Sequence, residues 1–287
     1  MGKRFDTLLF PGHKAKAFTL SYDDGVVQDK RLIEIFDRYN AKCTFNLNYG
    51  VLGHKQIIKG PDQKEVDISK FDKEEVKEIY KNHEVGGHGL YHSSLISIGT
   101  PYAMHEIIED KVNLEKLIDK QVKMFAYPFG HYNEKVVSLL KDAGYKGART
   151  VESTHSFDIP KDFLILNPTC HHNDPELMKL AKDFVEKPIF IPSLFYLWGH
   201  GYEFDHDGNY DVIENLLKFL HEYKDTIWFA TNSEIIEYVN AYRNLEYSGD
   251  GSMIYNPSAI DVEILTSFKT SEIIKAGETI KVKETEL

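Results

Sequence analysis

Short apolar segments alternate with longer amphipathic segments over roughly the first 240 of the 287 residues, a pattern typical of repeated β-α units. The apolar segments predict strands at residues 17–22, 42–46, 84–87, 124–127, 147–150, 164–166, 189–197 and 227–230. The amphipathic segments predict helices at residues 28–39, 73–82, 103–120, 133–143, 175–184, 210–222 and 233–243. This alternation indicates an α/β fold, a distorted parallel barrel.

Polar residues mark several of the predicted helix boundaries. Asp72, Asn133, Asp174 and Ser233 stand where an N-cap side chain would accept a backbone N–H. Gly144 follows the helix predicted at 133–143, and glycine commonly ends a helix because it adopts a left-handed backbone.

The pattern changes near Glu246. A Ser-Gly-Asp-Gly run leads into two segments, 260–265 and 279–283, in which apolar and polar residues alternate as in half-buried strands. We therefore divide the chain into a barrel at 1–245 and a short C-terminal β appendage at 246–287. The appendage is too short to bury its own core, so it packs on the barrel or on a second subunit, which leaves a homo-oligomer open.

Composition and charge restrict the partners. The hydrophobic content of 42% is sufficient for a sizeable core, and the net charge is −11 without a basic block. Such a surface repels phosphate backbones and anionic lipid, so we expect neither nucleic acid nor a membrane as partner.

Two further features bear on the compartment. The polar start of the chain runs into the apolar residues 8–10, which are too few for a signal-peptide core or a membrane span, so we expect a cytoplasmic protein. Cys43 and Cys170 are the two cysteines; they allow one disulfide, but two reduced, buried thiols fit an intracellular protein better.

Residues suited to hydrolytic chemistry follow four of the predicted strands. Asp23 and Asp24 are adjacent, so their carboxylates point in different directions, and one can bind a metal while the other faces a substrate. His88 and His92 are four residues apart, which brings both imidazoles to one point. A Pro-Phe-Gly turn at 128–130 and a late His200 complete the set. Each segment alone is better explained as an ordinary turn or as surface histidines. All four in this order are far less expected by chance, so the combination indicates a functional site.

In this order, the four segments resemble the motifs of the polysaccharide deacetylases of carbohydrate esterase family four, the NodB-homology proteins. Ser-Tyr-Asp-Asp-Gly is similar to the family's T-F-D-D-G, His-Gly-Leu-Tyr-His to H-S/T-x-x-H, Ala-Tyr-Pro-Phe-Gly to R-x-P-Y/F-G, and Leu-Trp-Gly-His to L-x-H. The resemblance covers most of residues 18–240. It implies a deformed (β/α) barrel and the metal-dependent removal of N- or O-linked acetyl groups from a saccharide.

The resemblance also implies a role for each residue. Asp23 is then the general base, Asp24 binds one divalent metal with His88 and His92, and His200 is the general acid. The backbone N–H of Phe129 stabilises the oxyanion, and the substrate contacts are Tyr127, Pro128, Leu197 and Trp198. Zinc is the first expectation for the metal, and cobalt, nickel or iron would suit the same ligands.

The chain departs from the family pattern at several positions. Gly89 replaces a hydroxyl residue between the two histidines, and Ala126 replaces the arginine that holds the catalytic base, so another cation or buried hydrogen bonds must support Asp23. The acid that positions the catalytic histidine is not evident, and Asp158 and Asp162 are weak candidates. His171 and His172 line the substrate groove or, as the simpler alternative, belong to a solvated loop.

Two other functions remain open from the sequence. The first is an amide or cyclic-imide hydrolase of the same superfamily; the retained histidine motifs favour acetyl removal over it, but the missing arginine weakens that preference. The second is a saccharide-binding barrel without turnover, which the presence of Asp23 and His200 argues against. For a cytoplasmic enzyme we expect small acetylated sugars to be better substrates than insoluble polymer.

Overall fold

A curled sheet of parallel strands forms the centre of the protein in the computed structural model, which describes residues 6–60, 63–266 and 270–282. The strands are β1 (Thr7–Leu9), β2 (Lys16–Asp23), β3 (Cys43–Leu47), β4 (Ile57–Lys59), β5 (Glu65–Asp67), β6 (Glu84–Gly87), β7 (Met124–Ala126), β8 (Gly147–Arg149), β9 (Cys170–His171), β10 (Ser193–His200), β11 (Ile227–Phe229), β12 (Glu246–Tyr247), β13 (Met253–Tyr255), β14 (Val262–Leu265), β15 (Ser271–Ile274) and β16 (Thr279–Lys281). The helices are α1 (Asp29–Arg38), α2 (Lys73–Ile79), α3 (Thr100–Ile118), α4 (Glu134–Asp142), α5 (Leu177–Glu186), α6 (Gly201–Asp207), α7 (Tyr210–His221) and α8 (Asn232–Arg243).

The order of the central sheet is β8-β7-β6-β3-β2-β10-β9, and β11 also pairs with β2. Every pairing in this sheet is parallel. All eight residues of β2 and seven of the eight residues of β10 are buried, because helices or the barrel interior cover both faces. The predicted deformed (β/α) barrel is therefore confirmed.

Local capping interactions explain where several helices begin and end. Asp72 forms a capping box with Glu75 at α2, and the side chain of Asn133 accepts the N–H of Val136 at α4. Gly144 has φ +82° after the end of α4, as expected for a glycine that stops a helix.

Two predicted N-caps are wrong. Helix α5 has Glu176 as its N-cap, because Asp174 accepts the N–H of Glu176 in a turn that precedes the helix. Helix α8 begins after Thr231, whose hydroxyl accepts the N–H of Glu234, so Ser233 lies inside the first turn. At α8 a neighbouring polar residue takes the capping role, whereas Glu176 at α5 makes no side-chain capping hydrogen bond.

The predicted strand at 164–166 is also wrong as a regular strand. Leu166 donates its N–H to Ala148 and forms one isolated bridge with Arg149, so the segment runs beside β8 without a continuous ladder. The short strand β9, the helix α6 and the hairpin of β4 with β5 were not predicted.

The C-terminal segment forms two small antiparallel sheets, β1-β14-β15 and β12-β13-β16. The first includes β1 from the start of the barrel segment. Ala241 and Leu245, at the end of α8 and just after it, share a buried apolar cluster with Ile254, Val262, Ile264 and Ile274. The last predicted strand extends to Lys283, which lies outside the described residues, and the boundary at 245–246 stays a prediction.

Two smaller observations complete the fold. Cys43 and Cys170 are both buried and free, as expected for reduced thiols. Among the helices described, none has the length and apolar character that a membrane span requires.

The hydroxyl of Tyr238 links α8 to both neighbouring strands of the small sheet. It donates to the carbonyl of Leu9 at 3.0 Å and accepts the N–H of Glu263 at 2.8 Å. Tyr238→Phe leaves both buried backbone groups without this partner, so we expect a loss of about 1–3 kcal/mol in the free energy of unfolding. Urea unfolding measures it, with the partly exposed Tyr223→Phe as control; equal stability of the two variants would contradict the prediction.

Candidate active site

The predicted site residues meet at the carboxyl ends of the barrel strands. Asp23 ends β2, His88 follows β6, and His200 ends β10. Asp23 and His200 are direct partners in the parallel register of β2 and β10. Because parallel strands present their carboxyl ends at one rim, residues from distant parts of the chain gather there.

Asp24, His88 and His92 form one group of candidate metal ligands, with ligand atoms all within 4.8 Å of one another. Nδ1 of His88 lies 2.7 Å from the carbonyl oxygen of Ala126, so Nδ1 carries the proton and donates it. The lone pair of Nε2 is then free for a metal, which is the usual arrangement for a histidine ligand. Burial lowers the pKa of His88 to about 4, which keeps the ring neutral. The residues present therefore fit a divalent metal.

Backbone strain is concentrated in this group. Among the described residues, eight non-glycine residues have a positive φ, and three of them are Asp24 (+81°), His92 (+59°) and Phe129 (+60°). Such conformations are costly for residues with a side chain and persist only where the surroundings hold them. The strained positions are those to which the sequence motifs gave chemical roles.

The loop after His88 is held by side chains from other elements. The amide of Asn48 donates to the carbonyls of His88 and Gly89 at 2.5 and 2.6 Å, and Asp110 accepts the N–H of His88 at 3.0 Å. Gly89 has φ +78°, a conformation that the hydroxyl residue of the family motif would adopt only with strain. The hydrogen bonds of Asn48 thus fix the loop without that hydroxyl.

Arg149 supplies the cation that the sequence lacks at position 126. Its Nη2 donates to Oδ2 of Asp23, and its Nε donates to the hydroxyl of Ser21 at 3.2 Å. Arg149 and Ala126 are register partners on the adjacent strands β8 and β7. The guanidinium is buried and lies 4.3 Å from the ring centroid of Trp198. The arginine that contacts Asp23 therefore stands on β8, one strand away from position 126 on β7.

The other oxygen of Asp23 is held by Asn46. The amide of Asn46 donates to Oδ1 of Asp23 at 2.8 Å and to Ser21 at 2.9 Å. Asn46 has Gly86 as its register partner on β6, where a Cβ atom would lie 2.4 Å from the amide oxygen of Asn46. A glycine is required at 86 to leave room for this amide.

These contacts determine the charge of Asp23. Burial raises the pKa of its carboxyl group, but the opposing effects of Arg149, His88, His200 and Asn46 are larger and lower it to about 2. Asp23 is therefore ionised at neutral pH despite its burial.

Glu203 is the carboxylate beside His200. Its Oε2 lies 3.3 Å from Nδ1 of His200 and accepts the backbone N–H of the same residue at 2.9 Å. Burial lowers the pKa of His200, but Glu203 and the two aspartates raise it more, so the net pKa is above the ordinary value. Asp158 and Asp162, the candidates from sequence, are exposed loop residues. Glu203 was missed because α6 was not predicted.

His171, His172 and Glu203 form a second group whose ligand atoms also lie within 4.8 Å of one another. Here Nδ1 of His171 accepts the N–H of Asn173 at 3.2 Å, so the proton of the neutral ring is on Nε2, which faces Glu203 at 3.1 Å. A protonated nitrogen cannot bind a metal. The tautomer therefore makes this group a hydrogen-bonding cluster around Glu203 rather than a second metal site.

His172 is part of the packing beneath this cluster, not of a solvated loop. Its ring is fully buried and stacks on Phe204, with centroids 4.1 Å apart, and on Tyr22 at 5.7 Å. Burial lowers its pKa to about 3, so it is neutral. Gly199 makes room for the ring, because a Cβ there would lie 1.9 Å from Nδ1 of His172.

All four residues predicted to contact substrate are buried. Tyr127 is buried and its hydroxyl donates to the carbonyl of Leu164 at 2.8 Å, while Pro128 and Leu197 are buried as well. The prediction took these four motif residues as substrate contacts, whereas in the structure their side chains are buried. Trp198 is buried too, with the guanidinium of Arg149 over its ring. Phe129 is exposed, and its ring centroid lies 4.5 Å from that of His92.

Several solved structures have a similar fold. A polysaccharide deacetylase structure from Mycobacterium smegmatis is 16% identical, with 84% of this chain and 96% of that chain covered and a TM-score of 0.58. A mutant of the Bacillus anthracis protein BA3943, described as a CE4 family pseudoenzyme with restored activity, is 19% identical, with coverages of 77% and 67% and a TM-score of 0.50. At these identities the likeness shows the fold alone.

The Streptococcus pyogenes deacetylase PplD, solved with acetate, is 21% identical. The match covers 51% of this chain and 61% of that chain, with a TM-score of 0.43, so the present chain spans less than two thirds of it. No curated protein sequence matches significantly.

The family model described as polysaccharide deacetylase matches residues 11–148, which include the Asp23-Asp24 pair, both candidate metal-ligand histidines and the Pro-Phe-Gly turn. The fold and the arrangement of these residues agree with that match. Residues 11–148 of the chain therefore match the polysaccharide deacetylase family, and the solved structures with a similar fold include deacetylases of that family.

Proposed function

We propose that this protein is a metal-dependent hydrolase that removes N- or O-linked acetyl groups from a saccharide. The observation that carries the proposal is the arrangement at one rim of an ionised Asp23, the ligand group around His88, and His200 with its raised pKa. A base, a metal site and an acid in one cleft are the groups that hydrolysis of an acetyl bond requires.

Asp24, His88 and His92 would hold the metal, and their oxygen and nitrogen donors suit zinc, with cobalt, nickel or iron as alternatives. When bound, a divalent ion polarises the acetyl carbonyl and lowers the pKa of its water from ~15.7 toward ~7. The hydrogen bond from His88 to the carbonyl of Ala126 keeps the ligand nitrogen deprotonated and fixes the orientation of the ring.

Asp23 takes the proton of the attacking water. Arg149 and Asn46 each hold one of its oxygens, so the carboxylate is fixed in orientation and stays ionised before the reaction. Phe129 stands at the mouth of the site, where its backbone N–H is proposed to donate to the developing oxyanion.

His200 donates a proton to the departing amine or alcohol oxygen. Glu203 stabilises the imidazolium form through Nδ1, which leaves Nε2 as the donor for the leaving group. His171 supports this arrangement indirectly, because its Nε2 faces the same Glu203 oxygen.

Arg149 also affects the choice between functions. The absence of an arginine at 126 weakened the preference for acetyl removal over amide or cyclic-imide hydrolysis, and that objection is removed because Arg149 contacts Asp23 directly. One similar structure is a mutant of a pseudoenzyme in which activity was restored, so this fold alone does not establish turnover. The retention of both Asp23 and His200 supports turnover in this chain.

Acetate release from matched acetylated monosaccharides, short oligosaccharides and polymer tests the proposal. We expect release from the small substrates to exceed release from polymer.

Asp23→Asn should lower kcat by ~10²–10⁴-fold while bound metal is retained, because it removes a base and not a ligand. The exposed Asp158→Asn is the control. A wild-type rate in Asp23→Asn would show that the base is misassigned, and no acetate release by the wild type would refute the proposed activity.

The two histidine groups predict opposite effects on metal content. His88→Ala should lose most of the bound divalent metal, because it removes a ligand with a free lone pair. His171→Ala should retain it, because that ring presents a protonated nitrogen. Elemental analysis after dialysis measures both variants. Equal metal loss in the two would contradict the tautomer assignment.

Glu203→Gln should shift the alkaline limb of the pH profile of kcat/KM to lower pH. Glu203 raises the pKa of His200, and its neutralisation lets the imidazolium lose its proton at a lower pH. The rate should therefore fall more at alkaline than at acidic pH, whereas a simple loss of folding would lower both. The surface residue Glu214 gives the control Glu214→Gln. An unchanged alkaline limb would exclude Glu203 as the group that tunes His200.

A further inference from the structure

Lys70 lies beside the candidate metal ligand Asp24 on a segment that precedes α2. It forms an isolated antiparallel bridge with Val26, and the next residue, Phe71, donates its N–H to the carbonyl of Gly25 at 3.4 Å. These backbone contacts attach the segment to the loop that carries the two aspartates. Lys70 therefore has a defined position in the site although it belongs to none of the sequence motifs.

The ammonium group of Lys70 has unused hydrogen-bonding capacity. Its Nζ is 3.7 Å from Oδ1 of Asp24, which is an ion-pair contact but too long for a hydrogen bond. Within the described part of the chain, no hydrogen bond from Nζ is formed, and the side chain is only 13% exposed. The three N–H donors of this ammonium group thus lie beside Asp24 with no acceptor at hydrogen-bonding distance among the residues that the structure describes.

The charges around the site leave this cation unbalanced when a metal is bound. Arg149 is neutralised by Asp23, and Glu203 lies against His200. Asp24 has one negative charge, which a divalent ion at the ligand group would take up. The ammonium group of Lys70 would then lie next to a metal site with a net positive charge. A neutral acetylated sugar would supply no negative charge to offset the repulsion between them.

An anionic group on the substrate would restore the balance. The protein as a whole has a net charge of −11 and repels anions at long range. Beyond about 8–10 Å that repulsion is screened at physiological salt, so recognition of an anion depends on cations inside the cleft. The exposed ring of Phe129, in contact with His92, offers a face on which a sugar ring can stack.

We propose that Lys70 binds a carboxylate of the substrate, so that the preferred substrate class is an acetylated saccharide that contains a uronic acid. This inference rests on the proposed deacetylase function. The competing explanation is that Lys70 serves only to orient Asp24, and the two explanations make different predictions for binding.

Two sugars that differ in one group are the probes. N-acetylglucosamine and N-acetylglucosaminuronic acid share the ring and the acetyl group, and only the second has a carboxylate at C6. Calorimetry on the zinc-loaded 287-residue chain should show roughly tenfold or greater preference for the uronate, as expected for a charged hydrogen bond. Acetate release should show the same preference in kcat/KM.

Variants of Lys70 assign the preference to its ammonium group. In Lys70→Met the affinity for the uronate should fall to that for the neutral sugar, and Lys70→Arg should keep a preference for the uronate. The control is Lys55→Met, because Lys55 is a surface lysine paired with Asp72 and should not affect the ratio. Metal content is measured in every variant.

Several outcomes would overturn the inference. Equal affinity of the wild type for the two sugars, or no binding of either, would exclude a carboxylate site. An equal loss of both affinities in Lys70→Met, or a loss of metal, would show that Lys70 acts on Asp24 instead. A uronate preference in binding without acetate release would leave the carboxylate site standing and refute the proposed deacetylase activity.

Discussion

The buried ion pair of Asp23 and Arg149 is the interaction on which the arrangement of the site depends. A carboxylate at this depth would take up a proton if it were alone, because burial disfavours the charged form. The arginine reverses that effect, and removing one partner of such a pair typically costs about 3–5 kcal/mol. Ser21, Trp198 and Asn46 surround the pair, so strands on opposite sides of the barrel interior are joined by one charge contact.

Glycine and alanine residues leave the space that these polar groups occupy. Gly86 accommodates the amide of Asn46, and Gly199 accommodates the ring of His172. Ala126, the register partner of Arg149, occupies little of the space that the arginine of the family motif would fill. Ala126 lacks the arginine of the family motif, but the adjacent strand β8 supplies a guanidinium group through Arg149.

The sequence predicted the barrel, most of its strands and the residues at the rim, because periodicity and motif spacing are local properties. It did not predict Arg149 or Glu203. Arg149 contacts Asp23 only because β8 curls around the barrel, and no spacing along the chain expresses that contact. A charged residue in the apolar strand predicted at 147–150 was the available signal. For Glu203 the signal was its position three residues after His200, the separation of a capping box at a helix start.

The two histidine groups show why a list of ligands does not define a metal site. Both contain two histidines and one carboxylate at similar separations. They differ in one backbone contact, since Nδ1 of His88 faces a carbonyl oxygen and Nδ1 of His171 faces an N–H. The first contact leaves a lone pair on Nε2 and the second leaves a proton there. A single backbone group therefore makes the first set suited to metal binding and makes the second a hydrogen-bonding cluster around Glu203, beside His200.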